Sequence, residues 1–196
     1  MNHFKTGSKM LSKGELRKQI AALRREALVD SAVVASCDKI WDAIGAMPQF
    51  AMARTVLLYA SLPDEIPTAP AMEKWSAAKT LVLPVVQGDT LVLRKYDPCR
   101  LEAGYKGIAE PDGSCAAVRP EDIDFAIVPG VAFDRRCMRM GRGKGFYDRL
   151  LPQLRCPCVG VALPCQMVDS IPADPWDVPL TSIAVAYPDE TKLVLK

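Results

Sequence analysis

The segment from Ile123 to Leu154 constrains this chain more than any other. An apolar run, Ile123 to Val128, reads as a buried strand, and a helical repeat follows through Phe146, Leu150, Leu151 and Leu154. Between them Gly141, Gly143 and Gly145 alternate with Arg142 and Lys144. Glycines let a backbone approach a ligand closely, and free N–H groups beside fixed cations attract anions. Tetrahedral phosphate is the natural guest. Lys144 is followed by Gly145, so the turn is not the phosphate loop G-x-x-x-x-G-K-[ST]. The glycines fall at every second position, which excludes the dinucleotide pattern G-x-G-x-x-G. The alternative is a solvated basic loop, but strand, glycine, cation and helix signals agree on the anion site.

The rest of the chain alternates between strand and helix patterns. Ser12 to Glu15 forms a capping box, and Leu16, Ile20, Leu23 and Ala27 then repeat at helical spacing. Lys13 and Arg17 share one face of that helix, which on pattern alone makes them two solvated charges. Residues 31–46 read as a second helix with Val34, Cys37, Trp41 and Ile44 inward. Thr55 to Ala60 reads as a strand, Ser61 to Thr68 as a loop, and Thr68 to Ala78 as a helix. Asp64 and Glu65 lie just past that strand's carboxyl end, where open α/β sheets bind ligands; equally, acids decorate helix starts. Thr80 to Val86 is an apolar run that Pro84 should cut short, and Gly88-Asp89 turns the chain back through Thr90 to Tyr96. Asp97 to Pro120 reads as a long loop. Cys158 to Leu163 and Ser182 to Ala186 are buried strands, and Leu193 to Leu195 a short edge. This alternation predicts an α/β fold with a mostly parallel central sheet.

A chain of 196 residues makes one domain, or at most two small ones. The net charge of +2 is too small to argue for nucleic acid, although Arg135, Arg136, Arg139, Arg142, Lys144 and Arg149 crowd one segment. No apolar run approaches the roughly 18 residues of a membrane span, and the start has no signal-peptide core. Seven irregularly spaced cysteines make no disulfide framework, so a reducing cytoplasm is expected; Cys156-x-Cys158 reads as core. The only histidine is His3, in a tail expected to be disordered. Ser-His and Cys-His nucleophile systems and a His-ligated metal are therefore disfavoured. Chemistry must rest on lysine, arginine, carboxylates, backbone dipoles or a hard cation.

Several pieces together resemble the 5-formyltetrahydrofolate cyclo-ligase family. The strongest is Arg139-Met-Gly-Arg-Gly-Lys-Gly-Phe-Tyr-Asp148, preceded by Val128-Pro-Gly-Val-Ala-Phe-Asp134. Others are Tyr59-Ala-Ser-Leu-Pro-Asp-Glu-Ile-Pro-Thr68, Lys13-x-x-x-Arg17, Leu83-Pro84, Gly107-Ile-Ala-Glu-Pro111 and the Asp177-Val-Pro179 ending. They run in order through nearly the whole chain. The resemblance implies a single three-layer α/β domain over residues 1–196, with 1–10 flexible. It implies closure of 5-formyltetrahydrofolate to 5,10-methenyltetrahydrofolate with ATP and Mg2+, releasing ADP and phosphate. The partners are then small molecules, folate and ATP, with no nucleic acid and no membrane, and the expected state is a monomer.

By the same resemblance, Lys13 and Arg17 hold ATP phosphates. Arg139, Arg142 and Lys144, with the amides of Gly141, Gly143, Gly145, Phe146 and Tyr147, cradle the triphosphate and the transferred group. Asp148 and Asp177 match the magnesium positions, with Asp174 and Asp169 competing for the second. Glu65 matches the folate-contacting glutamate, and Ala60, Phe146 and Tyr147 line the folate cleft. The bland readings are core packing for Phe146 and Tyr147, a helical pairing of Asp148 with Lys144, and a surface turn for Asp177. Phe146 stands where many members carry tyrosine, and the turn Arg135-Arg136-Cys137-Met138 is more basic than a usual glycine-containing one. A non-catalytic folate- or nucleotide-binding relative is the alternative function.

Overall fold

The computed structural model describes residues 12–172, 174, 177–188 and 190–196. The tail 1–10 and its His3 lie outside the described residues. Helix α1 (Lys13–Ala27) starts on its capping box: Glu15 N–H donates to Ser12 Oγ at 3.2 Å and Ser12 N–H to Glu15 Oε2 at 2.9 Å. Helices α2 (Ser31–Gly45) and α3 (Pro48–Met52) lead to strand β1 (Thr55–Leu57), helix α4 (Ala69–Trp75) and the hairpin β2 (Thr80–Gln87) and β3 (Thr90–Lys95). The stretch expected to be a loop carries three short strands, β4 (Leu101–Ala103), β5 (Ala109–Pro111) and β6 (Ala117–Val118). Strand β7 (Phe125–Val128) precedes the hairpin β8 (Ala132–Asp134) and β9 (Arg139–Met140) and helix α5 (Phe146–Leu150). Strands β10 (Cys158–Ala162), β11 (Met167–Val168), β12 (Ser182–Ala186) and β13 (Thr191–Leu195) complete the order.

The main sheet runs β13-β12-β10-β7-β1-β2-β3-β6. Its centre, β12 to β2, is parallel, and antiparallel strands close both sides, as the alternation predicts. A parallel strand covered on both faces needs apolar side chains on both. Val56, Leu58, Phe125 and Ile127 pack with Ile40, Trp41, Ile44, Phe50, Met72 and Trp75 of α2, α3 and α4. Leu57, Ala126 and Val128 face the opposite layer, with Phe133, Leu150, Leu151 and Leu180. Leu16 and Ile20 seat α1 on Ala132 and Met140 of the small sheet β11-β8-β9 and on Val131 and Met138 beside them. The strand order reverses between β1 and β7. In open sheets that reversal leaves a crevice beyond the strands' carboxyl ends, where ligands bind.

Three further local expectations change. Val34 points outward at 41% exposure, and Ile40 takes the inward place. Strand β2 runs through Pro84, because Val82 C=O accepts from Leu58 N–H and Pro84, two residues on, turns its nitrogen to the same side, past the end of β1. Helix α5 stops at Leu150, and a tighter turn over Leu151–Gln153 replaces its continuation, since Pro152 has no N–H for the ladder. The basic turn after Asp134 is structural at Arg136, whose guanidinium binds Asp134 at 2.7 Å and the Ile171 carbonyl at 2.9 Å. Cys137 takes the left-handed conformation, φ 58°, that a glycine would normally supply there.

Candidate active site

Two loops meet at the reversal point. The first follows β1. Its ends are tied reciprocally, Ser61 N–H to Thr68 Oγ1 at 3.1 Å and Thr68 N–H to Ser61 Oγ at 3.2 Å. Leu62 N–H donates to Glu65 Oε2 at 3.0 Å, which fixes the Glu65 carboxylate within the loop. The second is the glycine-rich turn between β9 and α5. Gly143 at φ 91° and Gly145 at φ 69° give it a shape that L side chains rarely adopt. Because α5 is only five residues long, the turn's own amides and cations must supply the positive field, not a helix dipole.

Arg142 joins the two loops. Its Nη2 lies 2.7 Å from Asp64 Oδ1 and 2.9 Å from Glu65 Oε1, and its Nε 3.2 Å from the same Glu65 oxygen. Asp64 also accepts from Arg24 Nη2, so it sits between two guanidinium groups. Burial opposes ionisation of Asp64, but the hydrogen bond from Arg142 and the charge of Arg24 outweigh it and hold the carboxyl below its ordinary range. Burial disfavours the Arg142 charge, yet Glu65 and Asp64 together push its titration upward.

Further opposite charges pair around the two loops. Lys13 at the start of α1 reaches Asp174 at 2.6 Å and Asp177 at 3.4 Å, and its titration is raised by the Asp174 hydrogen bond. Arg17 Nε donates to the Gly141 carbonyl at 2.9 Å and bridges α1 to the turn. Arg139 is buried and paired with Asp148, its guanidinium 5.4 Å from the Tyr147 ring centre. Asp148 therefore pairs with Arg139, not with Lys144. Burial pushes the Arg139 titration down, against the opposing charges of Asp148 and Asp177. Lys144 is exposed, and its ammonium makes no ion pair among the described residues.

Aromatic rings lie beside the turn, with Tyr147 packed against the core. Tyr105, from the β4–β5 connection, meets Phe146 edge-on with centroids 6.0 Å apart. Tyr147 has a buried hydroxyl with no partner among the described residues, and burial pushes its titration up. Tyr59 is buried and shifted the same way, by burial first and Glu65 second. Ala60 is half-buried and packs on the α2 side of the core. A cavity of about 10 Å3, room for about one water, lies behind Glu65 between Arg24, Tyr59, Gly130 and Gln166. A wider cavity, about 540 Å3, is lined by Lys95, Tyr96, Arg100 and Cys115 at the carboxyl end of β3. Since β3 is antiparallel to β2, that is the amino end of the parallel strands, away from the loops described here.

The model of the 5-formyltetrahydrofolate cyclo-ligase family matches residues 9–186. The chain belongs to that family. The 5-formyltetrahydrofolate cyclo-ligase of Escherichia coli K12 is 36% identical over 145 residues, 69% of this chain and 80% of the relative. That of Haemophilus influenzae is 36% identical over 142 residues, 68% of this chain and 76% of the relative. The NMR structure of Aquifex aeolicus 5,10-methenyltetrahydrofolate synthetase superposes with a TM-score of 0.80 at 33% identity, covering 94% of this chain and 93% of that one. A 5,10-methenyltetrahydrofolate synthetase from Mycoplasma pneumoniae gives 0.70 at 27% identity, over 90% and 98%. The two names describe the substrate and the product of one ring closure. The cyclo-ligase resemblance of the motifs is thus borne out, and the chain is an enzyme of this cyclo-ligase class.

Of the residues named from the sequence, the structure brings together Glu65 and Arg142, Lys13 and Asp177, Arg139 and Asp148, and Arg17 with the Gly141–Gly145 turn. Asp169 stays exposed, whereas Asp174 and Asp177 both meet Lys13. Two carboxylates suit magnesium, which takes few protein ligands and completes its shell with phosphate oxygens and waters. No cluster of three metal-ligating side chains occurs among the described residues. Sequence reasoning missed Arg24, which is 1% exposed. The available signal was its place: with Leu16 and Ile20 it forms one stripe of α1 at four-residue spacing.

Proposed function

We propose that the protein closes 5-formyltetrahydrofolate to 5,10-methenyltetrahydrofolate with consumption of ATP in the presence of magnesium. The observation that carries this reading is the meeting of the Glu65 loop with the glycine-rich turn, through Arg142, at the point where the strand order reverses. A formyl oxygen is a poor leaving group. Transfer of the γ-phosphoryl group makes it an imidate phosphate; N10 then attacks the formyl carbon, the C–O bond breaks, phosphate leaves, and the N10 proton passes to solvent. Such transfer needs positioning and charge stabilisation, and no histidine or covalent nucleophile.

Lys13, Arg17, Arg142 and Lys144, with the turn's amides, bind and orient the triphosphate. Lys144, exposed and without an ion pair among the described residues, follows the charge of the transferred group in this reading. Arg139 fixes Asp148 and braces Tyr147. Asp148 and Asp177 would hold the magnesium ion, which supplies charge neutralisation at the phosphates. Glu65 accepts hydrogen bonds from the folate, between walls formed by Phe146 and Tyr147. The test is turnover: purified protein given 5-formyltetrahydrofolate and Mg-ATP should develop methenyl absorbance with ADP released in equal amount. A folded sample that binds both substrates and produces neither contradicts the proposal.

A further inference from the structure

We propose that Asp64, clamped from behind by Arg24, is a positioning residue that holds Arg142 on Glu65 while the site is empty. Nucleotide binding then draws Arg142 away and opens Glu65 to folate. The inference rests on the functional reading above, in which Arg142 serves the triphosphate and Glu65 the folate.

Arg142 bridges Asp64 and Glu65, so in this state the cation meant for phosphate occupies the acceptor meant for folate. Its side chain is 40% exposed, with solvent on one side into which it can move, whereas Arg24 is enclosed at 1%. Arg24 donates to Asp64 through Nη2 and to the Gly130 carbonyl through Nη1 at 3.4 Å, just beyond the end of β7. When Arg142 leaves, Asp64 therefore keeps a buried cation and pays no penalty as a lone charge. Glu65 keeps the Leu62 N–H on Oε2, while Oε1 gives up its Arg142 contacts and becomes available to a ligand. Asp64 thus acts as a dock: it makes the empty state self-neutral and returns Arg142 to Glu65 after release. Binding at the two subsites is then positively linked, and the link must be reciprocal.

The experiment measures the dissociation constant of 5-formyltetrahydrofolate by calorimetry, with and without saturating magnesium and a non-hydrolysable ATP analogue. The proteins are the wild type, Asp64→Asn, and the double variant Arg24→Gln/Asp64→Asn, which removes both charges and guards against misfolding of the single variant. In the wild type the analogue should tighten folate binding about tenfold. In the variants, folate alone should bind more tightly than to the wild type, the analogue should bind at least as tightly, and the enhancement should fall to about twofold or less. A simple structural role would not move this enhancement. Equal folate affinity with and without the analogue in the wild type overturns the inference, as does undiminished enhancement in a folded variant. Weakened analogue binding in a folded variant also overturns it, because Asp64 would then be aiming Arg142 at phosphate. These outcomes leave the proposed function standing; a wild type that binds neither ligand removes both.

Discussion

Replacing Gly143 by alanine should disable the nucleotide subsite and leave the fold in place. Gly143 has φ 91°, and a Cβ there would stand 3.4 Å from the Arg17 guanidinium carbon. Holding an L side chain in such a conformation costs on the order of 1–3 kcal/mol. The 3.4 Å approach is ordinary van der Waals contact, and Arg17 keeps its 2.9 Å bond to the Gly141 carbonyl, so the cost lies in the backbone conformation. The turn is exposed at Gly143, so the strain is relieved by other loop shapes, not by unfolding of the sheet. The cost falls on the shape that binds, which converts to nucleotide affinity about 5- to 150-fold weaker. Thermal unfolding should shift by no more than about 3 °C. Calorimetric titration with magnesium and a non-hydrolysable ATP analogue reads the first quantity, and a circular dichroism melt the second. Unchanged analogue affinity in a folded Gly143→Ala protein would refute the reasoning, since the turn's conformation would then be irrelevant to the ligand.

Lys144→Ala should lower kcat by about 10²–10³ in the methenyl absorbance assay while leaving the folate dissociation constant nearly unchanged. Glu65→Ala should raise the KM for folate and leave analogue binding by calorimetry as tight as in the wild type, or tighter, because Arg142 is released. Phe133, fully buried and so close to two backbones that a Cβ on Gly130 or Gly160 would stand 2.4 or 2.7 Å from its ring, should cost about 3–5 kcal/mol in urea unfolding when truncated to alanine. The folded Asp64 carboxyl titrates below its unfolded value, so its stabilisation is complete above about pH 4 and is lost as pH falls further. Acid melts of Asp64→Asn should accordingly start from lower stability at pH 7 and decline less steeply below about pH 4 than those of the wild type.

The elements legible from the chain are those whose signal is local. The apolar runs became β7, β10 and β12, and the capping box began α1, because burial on both faces and an N-cap each write a short-range pattern. Pro84 misled, since whether a missing N–H matters depends on what lies beside it, and β1 has already ended there. Val34 misled because a helix with apolar residues around its circumference does not announce its inward side. The glycine-rich turn was legible from its glycines and cations. Its partners were not: Arg142 meets Asp64 and Glu65 from 78 and 77 residues away, and Lys13 meets Asp174 and Asp177 from 161 and 164. Pairing at that range is a product of topology, and with it come the ion pairs between the loops that motif matching alone does not reveal.

The central claim is that the γ-phosphoryl group passes to the formyl oxygen. The most direct measurement starts with 5-formyltetrahydrofolate carrying oxygen-18 in its formyl group, turned over with unlabelled Mg-ATP, and ends with mass analysis of the inorganic phosphate. Because the C–O bond breaks while the P–O bond to that oxygen persists, each phosphate released should carry one labelled oxygen. Phosphate released without the label would contradict the account, whatever the rate at which the methenyl product forms.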